Sequence, residues 1–283
     1  MTPLARPEHR RRHVTGHELA VYRIDLAYDG TGFRGWARNA GVRTVQGKIE
    51  SALATVLRAE VALTVAGRTD AGVHARHQVA SFPTPADVDE AAVLRSLRTM
   101  LAPEISIHGL HRAPEGFDAR FSATRRSYRY FIDEAPFHDP LRSRWVWHLA
   151  ETLDLAAMNR AAAALVGSHD FASLCRAAEG GTTERTVDEA GWSREGTRHQ
   201  APGTSKPPAT GVQLPASTPL LIFSVTAKAF CHQMVRSMVA VCVDVGRGRV
   251  AATAIPAILE KKDRNAARGV APPHGLVLWE VEY

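Results

Sequence analysis

The sequence predicts an α+β protein of two similar α/β halves with largely antiparallel sheets. Three observations predict it. Segments that alternate apolar and polar, the two-residue period of a half-buried strand, are interleaved with segments whose apolar residues recur at helical spacing. The interleaving runs in similar order through both halves. The stretches between several strands are too short for the crossovers that parallel neighbours need.

The elements follow in chain order. Tyr22, Ile24, Leu26 and Tyr28 alternate as a strand, and Asp29-Gly30 signals a turn. Thr44 is suited to cap a helix carrying Val45, Ile49, Leu53 and Val56 on one face. Val61 to Ala66 reads as a strand, Gly67 to Gly72 as a loop, and Gln78 to Phe82 as a return to extended structure. Asp87 is placed to cap a helix with an inner stripe of Val93, Leu97 and Leu101. Ile105 to Leu110 and the alternation of Tyr128, Tyr130 and Ile132 give two further strands. Asp133 to Arg142, broken by Pro136 and Pro140, reads as a linker.

The second half repeats the rhythm. Trp145 to Leu149 looks extended, and Asp154 caps a helix with Leu155, Met158, Ala162 and Leu165 inward. Leu220 to Phe230 is a long strand, and Met234, Met238, Val241 and Val245 form a helical stripe ended by Gly246. A short helix over Ala254 to Lys261 and a strand over Leu276 to Glu282 complete it. The expected organisation is a flexible basic tail (1–17), an N-terminal half (18–135) and a C-terminal half (136–283). Within the latter, 193–217 is rich in Gly, Pro, Ser and Thr and reads as a long exposed loop.

Composition narrows the function. With 45% hydrophobic and 23% charged residues, the chain has globular proportions and is not largely disordered. The formal charge of +6 makes a polyanion, nucleic acid first, the expected partner. Cys175, Cys231 and Cys242 form neither a zinc pattern nor a disulfide framework, which fits a reducing cytoplasm. No apolar run is long enough to span a membrane. The tail's four arginines (Arg6, Arg10, Arg11, Arg12) lack the apolar core of a secretory signal, and weak phosphate contact is their functional reading.

The densest polar segment is Gly67-Arg68-Thr69-Asp70-Ala71-Gly72-Val73-His74-Ala75, a glycine-bracketed turn presenting Arg68 and Asp70. Two residues apart, these side chains share one face of an extended loop. A carboxylate beside an arginine serves as nucleophile or base; a plain turn salt bridge is the alternative. Arg120, Arg125, Arg126 and Arg129 fall in a segment without acids and interleave with Tyr128 and Tyr130, a pattern suited to tracking phosphates with aromatic stacking faces. A solvated face is the alternative there. His74/His77 and His108/His111 are each three apart, but no carboxylate or cysteine completes a ligand set, so no metal is expected. Gly47-Lys48 is followed by Ile49, which excludes a phosphate-binding P-loop. Cys231 and His232 are merely adjacent in sequence, which does not make a nucleophile–base pair.

Ala66 to His74 resembles the signature of the TruA family of tRNA pseudouridine synthases. More blocks agree in order: Tyr28-Asp29-Gly30 with Gly35-Trp36, Thr44-Val45-Gln46, Gln78-Val79 with Phe82, Phe117 to Thr124 with Tyr128-Arg129-Tyr130, and Phe230 with Met234-Val235-Arg236. Val245-Gly246, Lys262-Asp263-Arg264 and Gly275-Leu276 follow. The resemblance implies the α+β pseudouridine synthase fold, its halves flanking an RNA-binding cleft. It implies isomerisation of uridine to pseudouridine at positions 38, 39 and 40 of the tRNA anticodon stem-loop, without cofactor or metal, by a cytoplasmic homodimer.

It also implies roles. Asp70 is the essential aspartate, whether it attacks C1′, adds to C6 or takes a ribose proton. Tyr128 stacks on the flipped base, Arg236 pairs with the aspartate, Arg68 lies near both, and Leu276 is an apolar wall. On the residues alone, Tyr128 reads as a core residue on an alternating strand and Arg236 as a surface helix arginine. Flipping a base costs a few kcal/mol, and an aromatic face returns about 1–3 kcal/mol.

The sequence departs from the family pattern at Asn39 (usually Gln), at Arg98 to Pro103, at Gln233 (usually His) and at Ser237 (usually Asn). Two rival readings are an idle tRNA-binding protein on the same fold and a glycoside-cleaving enzyme. The first is disfavoured because Asp70, Tyr128 and Arg236 are present together. The second needs two carboxylates, and the 67–82 segment holds only Asp70.

Overall fold

The computed structural model describes residues 19–85, 88–176, 181–195, 219–267 and 269–283. The basic tail, Asp87, and the 196–217 part of the expected loop lie outside these residues.

The N-terminal elements are β1 (Leu19–Tyr28), α1 (Val45–Leu57), β2 (Thr64–Val65), β3 (His74–Pro85), α2 (Glu90–Leu101), β4 (Ile105–Arg112) and β5 (Arg125–Asp133). β6 (Trp147–His148), α3 (Leu155–Ala163), β7 (Gly167–Asp170), β8 (Glu184–Glu195), β9 (Leu220–Ala227), α4 (Met234–Gly246), α5 (Ile255–Glu260) and β10 (Leu276–Glu282) follow. Side-chain caps start α1, α2 and α3. Thr44 accepts from the Gly47 amide, Asp154 from that of Ala157, and Asp89 from that of Ala92. Asp89, not Asp87, thus caps α2, because its carboxylate stands three residues before a free first-turn N–H.

The strands form one largely antiparallel sheet in the order β4-β1-β3-β10-β5-β9-β8-β7, with β2 on β3 and β6 on β5. Strands from both halves thus lie in one sheet. The last strand, β10, lies between β3 and β5, parallel to the first (Val277 opposite His74) and antiparallel to the second (Leu278 opposite Tyr128). α1 packs on α2, α2 on β4, and α3 on both α4 and β8. The apolar stripes of these helices and the inward residues of the strands make one large core that includes Ile24, Leu53, Leu97, Tyr130, Met158, Phe223 and Met238. Burying each such side chain stabilises the fold by about 1.5–3 kcal/mol. A smaller apolar cluster of Phe131, Val146, Leu220, Ile222 and Val277, flanked by Trp279, lies apart from it.

Several boundaries differ from the sequence expectation. Val61 to Ala66 pairs only at Thr64–Val65, because the Leu63 amide donates to the Glu50 carboxylate (2.9 Å) instead of to a strand. β3 begins at His74 rather than Gln78, since it gains β10 as a neighbour. β9 ends at Ala227, three residues before Phe230. β7 and β8 have no counterpart in the sequence reading. β8 is polar, and its buried Val187 and Trp192 stand an odd five residues apart. A bulge between Val187 and Glu189 resets the phase, which hides the two-residue period.

Two glycines permit close approaches near the centre of the sheet. A Cβ on Gly275 would lie 2.5 Å from the Tyr130 ring, and one on Gly30 would lie 2.0 Å from the Val73 carbonyl oxygen. Gly30 therefore lets the turn after β1 sit directly against the 66–73 loop. Gly30→Ala is expected to force these backbones apart, destabilising the fold by about 1–3 kcal/mol, the range for overpacking. Urea denaturation checks it, and a wild-type midpoint would mean that the two segments part freely.

Candidate active site

The site forms where β2, β3, β5, β10 and the start of α4 converge. β2 ends in the 66–73 loop, whose backbone is held at several points. Trp36 N–H donates to the Thr69 carbonyl (3.0 Å) and Val73 N–H to that of Asp70 (3.1 Å). The Gln78 amide donates to the Gly67 carbonyl at 2.7 Å. Tyr28 and Thr69 share a hydrogen bond of 2.7 Å between their hydroxyls. Burial pushes the Tyr28 phenol up to about 12, against the opposing hydrogen bonds of Thr69 and Gln78, so it stays neutral.

This loop presents Asp70, whose carboxylate has two partners of different kinds. Arg236 Nη1 donates to Oδ2 at 3.0 Å, and His232 Nε2 lies 3.2 Å from Oδ1. The Asp70 side chain is 24% exposed, Arg236 13% and His232 53%. Arg236 also donates from Nε to the Ala271 carbonyl (2.7 Å), which fixes the guanidinium plane between two segments. Gln233, at φ 65°, turns the chain sharply just before α4, so His232 and Arg236 approach Asp70 from either side of that turn. A non-glycine residue in this left-handed region is strained by about 1–2 kcal/mol. Among the described residues, no second carboxylate contacts Asp70.

The other expected residues are placed as follows. Tyr128 is 7% exposed, edge-to-face on Phe230 with centroids 5.1 Å apart. Its hydroxyl lies 3.6 Å from where a Cβ on Gly67 would stand, so it backs the loop, and burial raises its phenol far above the usual range. Leu276 is buried at the start of β10, opposite Tyr130 and just beyond Pro273, which touches the Cβ position of Gly72. Arg68 is exposed, and among the described residues it forms no ion pair with Asp70, so the pairing suggested by their spacing is not made. Arg236, remote in sequence, takes that place.

The four clustered arginines are not brought together. Strand alternation puts Arg126 on the side of Tyr128 and sends Arg125 and Arg129 to the other. Arg126 is buried and turned onto carbonyls, of Ala66 (2.9 and 2.8 Å), Arg120 (2.7 Å), Ala123 and Lys228. That makes it a brace for the root of the loop, closed to phosphate. Arg125 faces Asp188 at 3.5 Å, Arg129 lies 4.1 Å over the Trp279 ring, and Arg120 is exposed over Phe121. Of the paired histidines, His77 and His111 both meet Asp25, at 3.1 and 3.3 Å, beside Arg23. Cys231 Sγ interacts with Cys175 and donates to the Thr182 carbonyl at 3.9 Å.

Sequence reasoning missed His232 as a site residue. The left-handed turn at Gln233 breaks any helical register that would have linked it to Arg236, so no spacing signal marks it. It also missed the supporting role of His74. Gly30 N–H donates to His74 Nδ1 (3.1 Å), so the ring proton sits on Nε2, which donates to the Arg144 carbonyl (2.8 Å). Burial lowers the His74 pKa and outweighs the raising effect of Asp29, whose Oδ1 is 3.2 Å from Nδ1. Burial likewise lowers that of His274, helped by the repulsion it would meet from His74 if both rings were protonated.

Both imidazoles thus resist protonation in the fold, whereas in the unfolded chain they protonate near pH ~6.5. Below that pH the unfolded state binds more protons, so stability falls with pH from about 6.5 downward. The urea midpoint of His74→Gln between about pH 7.5 and 5.5 should fall less steeply than that of the wild type. Equal slopes would overturn this account of His74.

Comparison with known proteins gives a consistent picture. A sequence model described as tRNA pseudouridine synthase matches residues 161–283. A protein of Streptomyces griseus named tRNA pseudouridine synthase A is 46% identical over 268 residues, covering 92% of this chain and 87% of that one. Proteins of the same name from Frankia casuarinae and Bifidobacterium animalis are 44% and 42% identical, over 94% and 92% of this chain and 90% and 92% of theirs.

Proposed function

This chain belongs to the tRNA pseudouridine synthase family, and from that premise we propose that it isomerises uridines 38, 39 and 40 in the anticodon stem-loop of tRNA. Such enzymes are isomerases: the bond from N1 to the ribose breaks, the uracil turns, and a bond from C5 to C1′ replaces it. The observation that carries the reading is the Asp70 carboxylate, held at 3.0 Å by Arg236 on a loop backed by Tyr128. An arginine on one oxygen holds the carboxylate in one orientation, and the part of Asp70 left exposed leaves room for a reacting group.

The remaining roles follow as proposals. Asp70 is the essential group. Tyr128 stacks on the flipped base, with Leu276 as an apolar wall. Arg68, exposed on the same loop, is the arginine best placed for phosphate, with Arg120 as a further backbone contact; Arg125 and Arg129, on the opposite face of β5, are left to Asp188 and Trp279. Arg126 is left to bracing. The reaction needs neither cofactor nor metal. The proposed setting is cytoplasmic; among the described residues no helix is long and apolar enough to cross a membrane.

The proposed assembly is a homodimer. Supporting it, Phe137 and Leu141 are 83% and 87% exposed in the segment that leads to Trp145, which packs edge-on against Phe131 of the smaller apolar cluster. Light scattering after size exclusion should give twice the chain mass of 30.8 kDa, falling toward one chain for Leu141→Glu.

The reading is tested on an unmodified tRNA with uridines at 38 to 40, mapping pseudouridine by position. Wild type should form it. Asp70→Ala, still folded and still binding tRNA, should form none. Wild-type binding without product would leave an RNA-binding protein on this fold.

A further inference from the structure

Asp70 has two partners, and only one of them can exchange a proton. Arg236 brings a guanidinium, a group with donors only and no proton to relay. It is also held on its far side by Ala271. His232 is the opposite case. Its imidazole is 53% exposed and stands 3.2 Å from Oδ1, the oxygen that Arg236 leaves open. Histidine is the side chain whose charge changes most readily near neutral pH. Its main chain is fixed by the Arg176 N–H, which donates to the His232 carbonyl at 3.0 Å, so the ring stands between the carboxylate and solvent on an anchored backbone.

The isomerisation itself poses a proton problem. When C5 of the detached uracil bonds to C1′, C5 becomes tetrahedral and still carries its hydrogen, with a double bond between N1 and C6. To finish, the C5–H bond must break. Its electron pair forms the C5–C6 double bond, the N1–C6 π pair moves to N1, and N1 gains a proton. One proton leaves C5 and one arrives at N1, so no net acid or base is consumed. A carboxylate that takes the C5 proton must give it up again before the next turnover.

We propose that His232 is a positioning residue for Asp70 that also passes the C5 proton from the Asp70 carboxyl to solvent. The proposal rests on the isomerase reading above. The relay runs on the tautomer with the proton on Nδ1: the protonated carboxyl hands its proton to Nε2, the imidazolium loses the Nδ1 proton to water at its exposed edge, and proton exchange with water returns the ring to the starting tautomer before the next turnover. Asp70 is restored as a carboxylate, and N1 draws its proton from solvent. The two partners thus divide the work: Arg236 orients Oδ2, and His232 clears Oδ1.

The test uses the full chain and tRNA carrying tritium at C5 of the target uridines, following tritium release and pseudouridine formation together. His232→Gln keeps a hydrogen bond to Oδ1 but cannot relay a proton. It should lower kcat about 100-fold, the low end of what proton transfer contributes, with KM for tRNA little changed. His232→Gly should be slow as well and regain rate with added imidazoles, the regained rate following the pKa of the imidazole supplied. Wild-type kcat in His232→Gln, a loss confined to KM, or rescue indifferent to imidazole pKa would each overturn the relay. Absence of product from the wild type in the same assay would instead overturn the isomerase reading, and this inference with it.

Discussion

Holding one carboxylate in a fixed orientation at a partly buried position is the constraint on which the rest of this structure depends. Taking a carboxylate out of water is expensive unless a charged partner and hydrogen bonds replace the solvent. Asp70 meets that condition through Arg236, 166 residues away in the chain. Arg236 in turn ties α4 to the segment before β10 through the Ala271 carbonyl. One guanidinium thus joins a loop of the first half to two segments of the second, and β10 seated between β3 and β5 makes the geometry repeatable.

The same loop is supported from beneath by groups that carry no reacting role. Arg126, Gln78, Tyr28 and the neutral His74 each satisfy a polar group that would otherwise be orphaned near the core. Two of these choices matter electrostatically. Tyr28 is kept a neutral phenol by burial, and His74 a neutral ring by burial against the pull of Asp29. Neither adds charge of its own near Asp70, which leaves its environment to Arg236 and His232. A site supported in this way keeps its reacting group within the small tolerance that positioned catalysis demands.

Much of the fold was legible beforehand because local signals and tertiary outcome agree. The alternation of Tyr22 to Tyr28, the caps at Thr44 and Asp154, the stripes of α2 and α4, and β10 all formed as their periods indicate. Signals failed where tertiary contacts redirect a backbone or shift its phase. Leu63 gives its N–H to a side chain, and the bulge in β8 conceals its inward face. Among the candidate site residues, Asp70 and Arg236 stand together in space, with Tyr128 behind the loop. The arginine cluster separated because alternate residues of a strand point to opposite faces, which a count of charges ignores.

By itself, then, the sequence determined the interleaved α+β character, the glycine-bracketed loop carrying Asp70, and the family to which the chain belongs. These live in short windows and in the order of motif blocks. Only the tertiary structure decided that the strands of both halves form one sheet, that Arg68 makes no ion pair with Asp70, and that His232 completes the constellation. The physical reason is that pairing across many residues depends on how strands and turns are joined in space. A left-handed turn at Gln233 and a last strand inserted beside β3 leave no periodic mark in the chain.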